Sequence, residues 1–255
     1  MAAWPDDPRE AAEWLARKLA ALPEAPMRGY VLGEALAAAP SPQVVAALHQ
    51  MLRASRLNPA PPYTIAVVAL AQALSDPRVL TYEQRAELYR AAKEQGLGEV
   101  ARMFFAAGTG PGEPRQPGPE QPLGAGRALT LGERKSLARG STRELLARLL
   151  RDPDAAVIRV LLENPHLTEA DVVVIAARRP ARGDVLRVVF GSRWITRYHI
   201  KRALVMNPYT PGDLAVRLCA TLETLDLRAV AGDPSLTGAV REQAKILLGE
   251  APPGL

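Results

Sequence analysis

A short motif recurs in the second half of the chain, and it limits the fold more than any other feature of the sequence. Each full copy has an apolar residue, an arginine, a short apolar run, a helix-breaking Asn, Asp or Ser, and then Leu or Ile followed by threonine. Three copies align without a gap and a fourth aligns with one residue deleted, at residues 158–168, 186–196, 227–237 and 202–210. Helices this short cannot each bury an apolar face alone, so neighbouring copies must stack on one another.

Each copy of the motif predicts a corner between two helices. The apolar run ends one helix, the Asn-Pro or Asp-Pro pair cannot continue it, and the threonine caps the next helix. The predicted corner residues are Asn164, Pro165, Thr168, Thr196, Asn207, Pro208, Thr210, Asp233, Pro234 and Thr237. Capping-box spacing at Thr130 with Glu133, and at Ser141 with Glu144, indicates two earlier helix starts.

The run 151–168, which continues into residues 172–177, resembles the leucine-rich repeat variant family and, more loosely, HEAT-like bacterial helical-repeat proteins. The resemblance rests on an Asp-Pro pair, a Val-Ile-Arg segment and an Asn-Pro pair followed by threonine, all in register. It covers roughly residues 129–250 and implies a right-handed α-solenoid of short helices without inherent activity. The cysteine-rich cluster domain that accompanies some family members is absent, so the resemblance implies no metal.

A breaker-rich segment separates this half from the first. Between residues 108 and 126, 11 of 19 residues are Gly or Pro, which is typical of an extended tether. We therefore predict an all-α protein with a helical domain at 1–107, a Pro/Gly-rich linker at 108–127 and a helical-repeat domain at 128–250.

The first half reads as a compact domain of six amphipathic helices, and no family resemblance is apparent in it. Apolar periodicity places these helices at about 8–22, 27–39, 42–53, 62–74, 82–95 and 97–107. Ser41 before Pro42 is a typical helix start, and Thr81 with Gln84 has capping-box spacing.

Composition narrows the classes of function. The net charge is +5 and the pI about 9.6, but 27 of the 32 basic residues are arginine, a bias also typical of GC-rich coding sequence. Cys219 is the single cysteine and is expected to be a buried structural thiol, which excludes an internal disulfide. The N-terminus lacks the pattern of a signal peptide and no apolar run is long enough to span a bilayer, so we expect a cytoplasmic protein.

Residue patterns that support catalysis or cofactor binding are missing from the sequence. His49, His166 and His199 lie in three separate segments without metal-ligand spacing, and no Gly-rich phosphate loop or nucleophile elbow occurs. We therefore expect neither an enzyme nor a cofactor. An enzyme with an undetected site remains a third hypothesis.

The surface candidates are basic. The recurring arginines of the motif are expected to be structural, with their stems packed between repeats; they are Arg159, Arg187, Arg202 and Arg228. A better binding candidate is a basic stripe formed by Arg193, Arg197 and Lys201 at helical spacing. Further basic and aromatic residues flank this stripe in the sequence; they are Arg178, Arg179, Arg182, Trp194, Tyr198 and Tyr209.

Two functions fit these features. The first is a non-enzymatic adaptor or scaffold whose helical-repeat surface binds another protein, since solenoids offer extended surfaces without reactive residues. The alternative is a HEAT-like protein that binds nucleic acid through a basic face, which requires the positive charge to be concentrated on one surface.

Overall fold

The computed structural model describes residues 4–58, 61–105 and 129–250. Within these ranges it contains 15 α-helices, one short 3-10 helix and no strand, so the predicted all-α class is confirmed. The predicted linker at 108–127 lies outside the described residues. The α-helices are α1 (Pro8–Ala20), α2 (Ala25–Ala37), α3 (Ser41–Leu57), α4 (Tyr63–Ala73), α5 (Tyr82–Glu94), α6 (Gly98–Phe104), α7 (Leu131–Leu137), α8 (Arg143–Leu149), α9 (Ala155–Leu162), α10 (Glu169–Ala177), α11 (Gly183–Phe190), α12 (Tyr198–Val205), α13 (Gly212–Cys219), α14 (Thr224–Gly232) and α15 (Gly238–Leu248).

The helices form two compact units. Among the described residues, the first unit comprises 4–58, 61–105 and 212–250, and the second comprises 129–211. The predicted repeat domain at 128–250 therefore spans both units, and the last copy of the motif, at 227–237, belongs to the first unit.

In the first unit, α1 to α6 correspond to the six helices predicted from apolar periodicity. Helix α4 packs against α1, α2 and α3, and it is buried along nearly its whole length because almost all its residues are apolar. The predicted capping box of Thr81 and Gln84 is present at α5. Helix α3 begins at Ser41 as predicted, but the Ser41 hydroxyl does not cap it and donates to Glu87 at 2.9 Å.

Helices α13 and α15 join the first unit by packing against α6, and α13 also contacts α4. Arg217 of α13 is buried and donates to the Met103 carbonyl at 3.0 Å and to the Ser75 hydroxyl at 2.8 Å. Arg102 of α6 donates to the Ala239 carbonyl at 2.9 Å. These contacts join sequence-distant segments, and the repeated motif does not reveal them.

In the second unit, most helices pack mainly on the next but one along the chain: α7 on α9, α9 on α11, and α10 on α12, whereas α8 packs on its neighbours α7 and α9. The predicted corners fall between helices, at α9–α10, α11–α12, α12–α13 and α14–α15. A short 3-10 helix, Arg193–Thr196, occupies the second of these corners.

The threonines of the corners do not all cap helices. Thr168 caps α10 as predicted, through a full capping box with Asp171, and the predicted capping box of Thr130 with Glu133 is present. Thr237 directly precedes α15 but makes no side-chain capping bond. The predicted cap at Thr196 is wrong, because α12 follows Arg197 and the Thr196 hydroxyl donates backwards to the Arg193 carbonyl at 3.3 Å. The Thr210 hydroxyl donates to the Leu204 carbonyl at 2.6 Å. Ser141 is also not a cap, since α8 follows Thr142 and has no side-chain capping bond.

Candidate functional site

The asparagines of the corners join parallel helices in the second unit. The Nδ2 of Asn164 donates to the carbonyls of Ala138 at 2.7 Å and Gly140 at 2.8 Å, at the end of α7. The Nδ2 of Asn207 donates in the same way to two carbonyls at the end of α10. Both asparagines are almost fully buried. Each therefore fixes the carboxyl end of its own helix beside that of the helix two before it.

Three residues of the predicted binding patch also donate to helix-end carbonyls. The Trp194 indole donates to the Leu162 carbonyl at 2.8 Å, Arg178 donates to the carbonyls of Arg151 and Asp152, and Arg179 donates to the Met206 carbonyl. Arg182 forms two hydrogen bonds to Asp184, at 3.0 and 2.9 Å. Much of the predicted patch thus contributes to the internal structure of the unit.

Lys201 does not belong to an exposed basic stripe. Its side chain is only 2% exposed, whereas Arg193 and Arg197 are exposed. Burial lowers the pKa of the Lys201 amine to about 8. The amine lies 6.0 Å from the centre of the half-buried Tyr198 ring. These three residues lie on α12 or just before it, but they do not share one solvent-exposed face, because Lys201 is buried.

Carboxylates of the second unit are used inside it. Asp152 is buried and accepts from Arg134 at 2.6 Å, while the buried Asp171 accepts from Arg143 at 2.7 and 2.5 Å. The hydrogen bonds from Arg143 are the main cause that lowers the pKa of Asp171 to about 2, against the opposing effect of burial. Asp154 caps α9 by accepting from the Ala156 amide.

The exposed surface of the second unit is consequently basic. Residues 129–211 contain 15 Lys and Arg against 8 Asp and Glu, a net charge of +7 that exceeds the +5 of the whole chain. Among these residues Glu144 and Glu163 are exposed, Glu133, Asp154, Glu169 and Asp184 are half-buried, and ten arginines are exposed. The exposed arginines are Arg139, Arg143, Arg148, Arg151, Arg159, Arg179, Arg187, Arg193, Arg197 and Arg202.

The recurring arginines of the motif are exposed. Arg159, Arg187 and Arg202 are exposed in the second unit, and Arg228 is exposed in the first. Arg159 and Arg187 line one groove, of about 480 Å³, between α9 and α11. Arg202 lines a larger groove, of about 670 Å³, between α10 and α12.

Both grooves combine apolar walls with charged rims. The α9–α11 groove has Ala155, Leu162 and Val188 among its lining residues, with Glu163 and Asp184 near the two arginines. Sequence reasoning missed both grooves, although the recurrence of arginine at one motif position was the signal that pointed to them.

Side chains that could bind a metal ion or act as an acid, base or nucleophile are few in the described part of the chain. No cluster of three His, Cys, Asp or Glu residues there could hold a metal ion. His49 contacts Glu99 in the first unit, and His199 lines the larger groove of the second. Cys219 is buried, as predicted, and burial raises the pKa of its thiol to about 12.

Comparison of the chain with protein-family models, with curated proteins and with solved structures finds no match. None of the described helices combines the length and apolarity that a membrane crossing requires.

Proposed function

We propose that the protein is a non-enzymatic cytoplasmic adaptor, and that the second unit binds an acidic segment of a partner protein. The observation that carries this proposal is the imbalance of ten exposed arginines against two exposed carboxylates in residues 129–211. Such a surface attracts an anionic partner at long range and offers guanidinium groups for bidentate contact with carboxylates.

The proposal includes a short solenoid of the leucine-rich repeat variant or HEAT-like kind. The packing of α7 on α9, α9 on α11 and α10 on α12, with the carboxyl ends of the first and last pairs side by side, supports such a stack. Stacked repeats provide extended surfaces for binding without a reactive site.

The apolar walls of the grooves favour a protein partner over a partner that offers only charge. Their walls contain Ala, Val, Leu and Met side chains, which gain free energy by burying apolar groups of a ligand. Arginine beside apolar surface is a composition enriched at protein interfaces.

Nucleic acid is the second candidate, and the net charge of +7 in residues 129–211 favours it. Exposed arginines can neutralise phosphates and release counterions regardless of base sequence. The separation of charge between the two units makes this candidate stronger than the net charge of the whole chain indicates.

The test is capture of partners by the full-length protein from native lysate, followed by mass spectrometry and binding measurements with the purified partner. A charge-reversal variant carries Arg159→Glu, Arg187→Glu and Arg202→Glu. Its matched control carries Arg9→Glu, Arg90→Glu and Arg228→Glu, three exposed positions of the first unit.

We expect the first variant to weaken binding of an acidic partner by at least about a hundredfold and the control to leave it within about threefold. Equal binding by both variants would refute the proposal. If generic duplex DNA binds instead, and affinity falls steeply with salt only for the wild type and control, the nucleic-acid candidate is correct.

A further inference from the structure

The groove between α10 and α12 has an apolar wall and a charged rim. Its apolar lining residues are Ala170, Val173, Ala177, Ala203 and Met206. The charged or titratable lining residues are Glu169, Arg179, His199 and Arg202. A volume of about 670 Å³ is enough to accept several side chains of a peptide. Val174, which is 48% exposed, follows Val173 on α10.

The two walls of the groove are held in place without a ligand. Asn207, just after α12, donates to the carbonyls of Ala176 at 2.7 Å and Arg178 at 2.9 Å at the end of α10. Arg179 donates across the same end to the Met206 carbonyl. Because these bonds fix the spacing of the two helices, the groove is preformed, and a ligand need not pay to order its walls.

The charge of the rim favours an anionic ligand. Arg179 and Arg202 are both exposed at the groove, and the one carboxylate of the rim, Glu169, lies 4.0 Å from Arg197. Arg197, which does not line the groove, therefore partly neutralises the negative charge of Glu169. A ligand carboxylate meets two guanidinium groups, which can each donate several hydrogen bonds.

We propose that this groove binds an acidic amphipathic segment of the partner protein. Apolar side chains of that segment lie against the Ala and Val wall, and its carboxylates pair with Arg179 and Arg202. The proposal rests on the proposed function and deepens it by locating the site and naming the ligand chemistry. His199 and the two guanidinium groups are the only described lining groups on which a base could stack, whereas five lining residues are aliphatic, so an amphipathic peptide fits the groove better than single-stranded nucleic acid.

The ligand chemistry can be tested with three labelled peptides of equal length, acetylated and amidated, whose binding to the full-length protein is followed by fluorescence anisotropy. The first alternates pairs of leucine and glutamate, the second replaces each glutamate by glutamine, and the third replaces each leucine by serine. We expect the leucine–glutamate peptide to bind at least about tenfold more tightly than either control peptide, since both the charge and the apolar surface contribute. Equal binding of the serine–glutamate peptide would overturn the proposal, because charge alone would then account for binding.

The location is tested by two groove variants. Ala203→Trp fills the space between the helices, and Arg202→Ala removes one cation without adding bulk. The matched controls are Ala229→Trp and Arg228→Ala, because Arg228-Ala229 occupies the same positions of the motif in the first unit and both residues are exposed. Each groove variant should weaken the leucine–glutamate peptide by about tenfold or more, and each control should leave its affinity within about twofold.

The outcomes separate this site from the proposed function. If the peptide binds and is lost in the variant with Arg159, Arg187 and Arg202 reversed, but not in Arg202→Ala or Ala203→Trp, the groove assignment is overturned while the adaptor function stands. If the wild type binds neither the peptide nor an acidic partner protein, both proposals fail. If duplex DNA competes fully with the peptide and binds with the same sensitivity to Arg202→Ala and Ala203→Trp, the peptide assignment is overturned. Thermal unfolding of Arg202→Ala is the folding control, because Arg202 is exposed. An unchanged midpoint together with lost binding means that the loss does not reflect unfolding.

Discussion

Replacing Asn207 by aspartate tests the idea that the corner side chains hold neighbouring helices together. The Asn207 side chain is 1% exposed, and its Nδ2 donates to the carbonyls of Ala176 and Arg178. Its Oδ1 accepts from the backbone amide of Tyr209 at 3.0 Å. Aspartate keeps the shape and the bond to the amide, but it has no hydrogen with which to donate when ionised.

The magnitude follows from these contacts. Each buried carbonyl that loses its donor costs about 1–2 kcal/mol, because water does not replace the bond. The carboxylate also faces two carbonyl oxygens in a buried site, which adds at least about 1 kcal/mol. We therefore expect Asn207→Asp to lower the free energy of unfolding of the second unit by about 3–5 kcal/mol at neutral pH.

The pH dependence has a defined sign. Among carbonyl oxygens the new carboxyl is more stable when neutral, so its pKa in the folded state is raised above the ordinary value of about 4. The protonated form can also donate one of the lost bonds. The excess destabilisation should therefore shrink as the pH is lowered from about 7 towards 4.

Urea unfolding followed by tryptophan fluorescence measures this effect. Trp194 is the single tryptophan of residues 109–211, so a Trp4→Phe/Trp14→Phe background makes it a reporter of the second unit. The matched control is Asp233→Asn, measured by circular dichroism. Asp233 occupies the same motif position and accepts from the Ser235 amide at 2.9 Å, a bond that asparagine can also accept.

The control should change stability by less than about 1 kcal/mol, since it introduces no buried charge. An Asn207→Asp variant no less stable than the wild type, or one whose loss is independent of pH, would refute the idea that the side chain holds α10 and α12 together.

Three further predictions concern individual side chains. Asp171→Asn should lower the free energy of unfolding by about 1–2 kcal/mol at pH 7, a modest value because Arg143 is largely exposed and solvent screens the ion pair. Since the pKa of Asp171 is lowered in the folded state, the difference between variant and wild type should disappear as the pH falls from about 4 to 2 in acid unfolding curves. A difference that stays constant with pH would contradict a stabilising ion pair of Asp171 with Arg143. Cys219, whose thiol pKa is raised to about 12 by burial, should react with an aromatic disulfide reagent only after unfolding, and rapid labelling of the native protein would show that it is accessible. Trp194→Phe should cost about 1–2 kcal/mol in denaturant unfolding by leaving the Leu162 carbonyl without its donor, whereas an unchanged midpoint would show that the indole bond is unimportant.

Local chemistry made the helices of the chain predictable. Apolar periodicity located the six helices of residues 8–104, and the Asn-Pro and Asp-Pro pairs correctly marked corners in the second half. The capping boxes at Thr81 and Thr130 were predicted for the same reason, since a threonine and a Gln or Glu three residues later meet within one turn, and Thr168 was predicted as a cap. Thr196 is followed three residues later by His199 and Thr210 by Asp213, and the hydroxyls of both threonines donate to carbonyls of the preceding segment.

The candidate site was less predictable because it depends on contacts between distant residues. Helical spacing grouped Lys201 with Arg193 and Arg197, but packing against neighbouring helices buries Lys201. The recurring arginines were expected to be structural, with their stems packed between repeats; Arg159, Arg187 and Arg202 are exposed and line grooves between helices. Neither outcome can be read from spacing along one helix.

The sequence by itself determined where the chain is helical and where it turns, because breakers, caps and apolar periodicity act over a few neighbouring residues. Only the tertiary structure decided that residues 212–250 share a unit with the first half, that acidic side chains are used internally, and that arginines remain outside. Burial and pairing depend on which distant helices meet, and that is settled by the free energy of packing the whole core, to which each local motif contributes only a part.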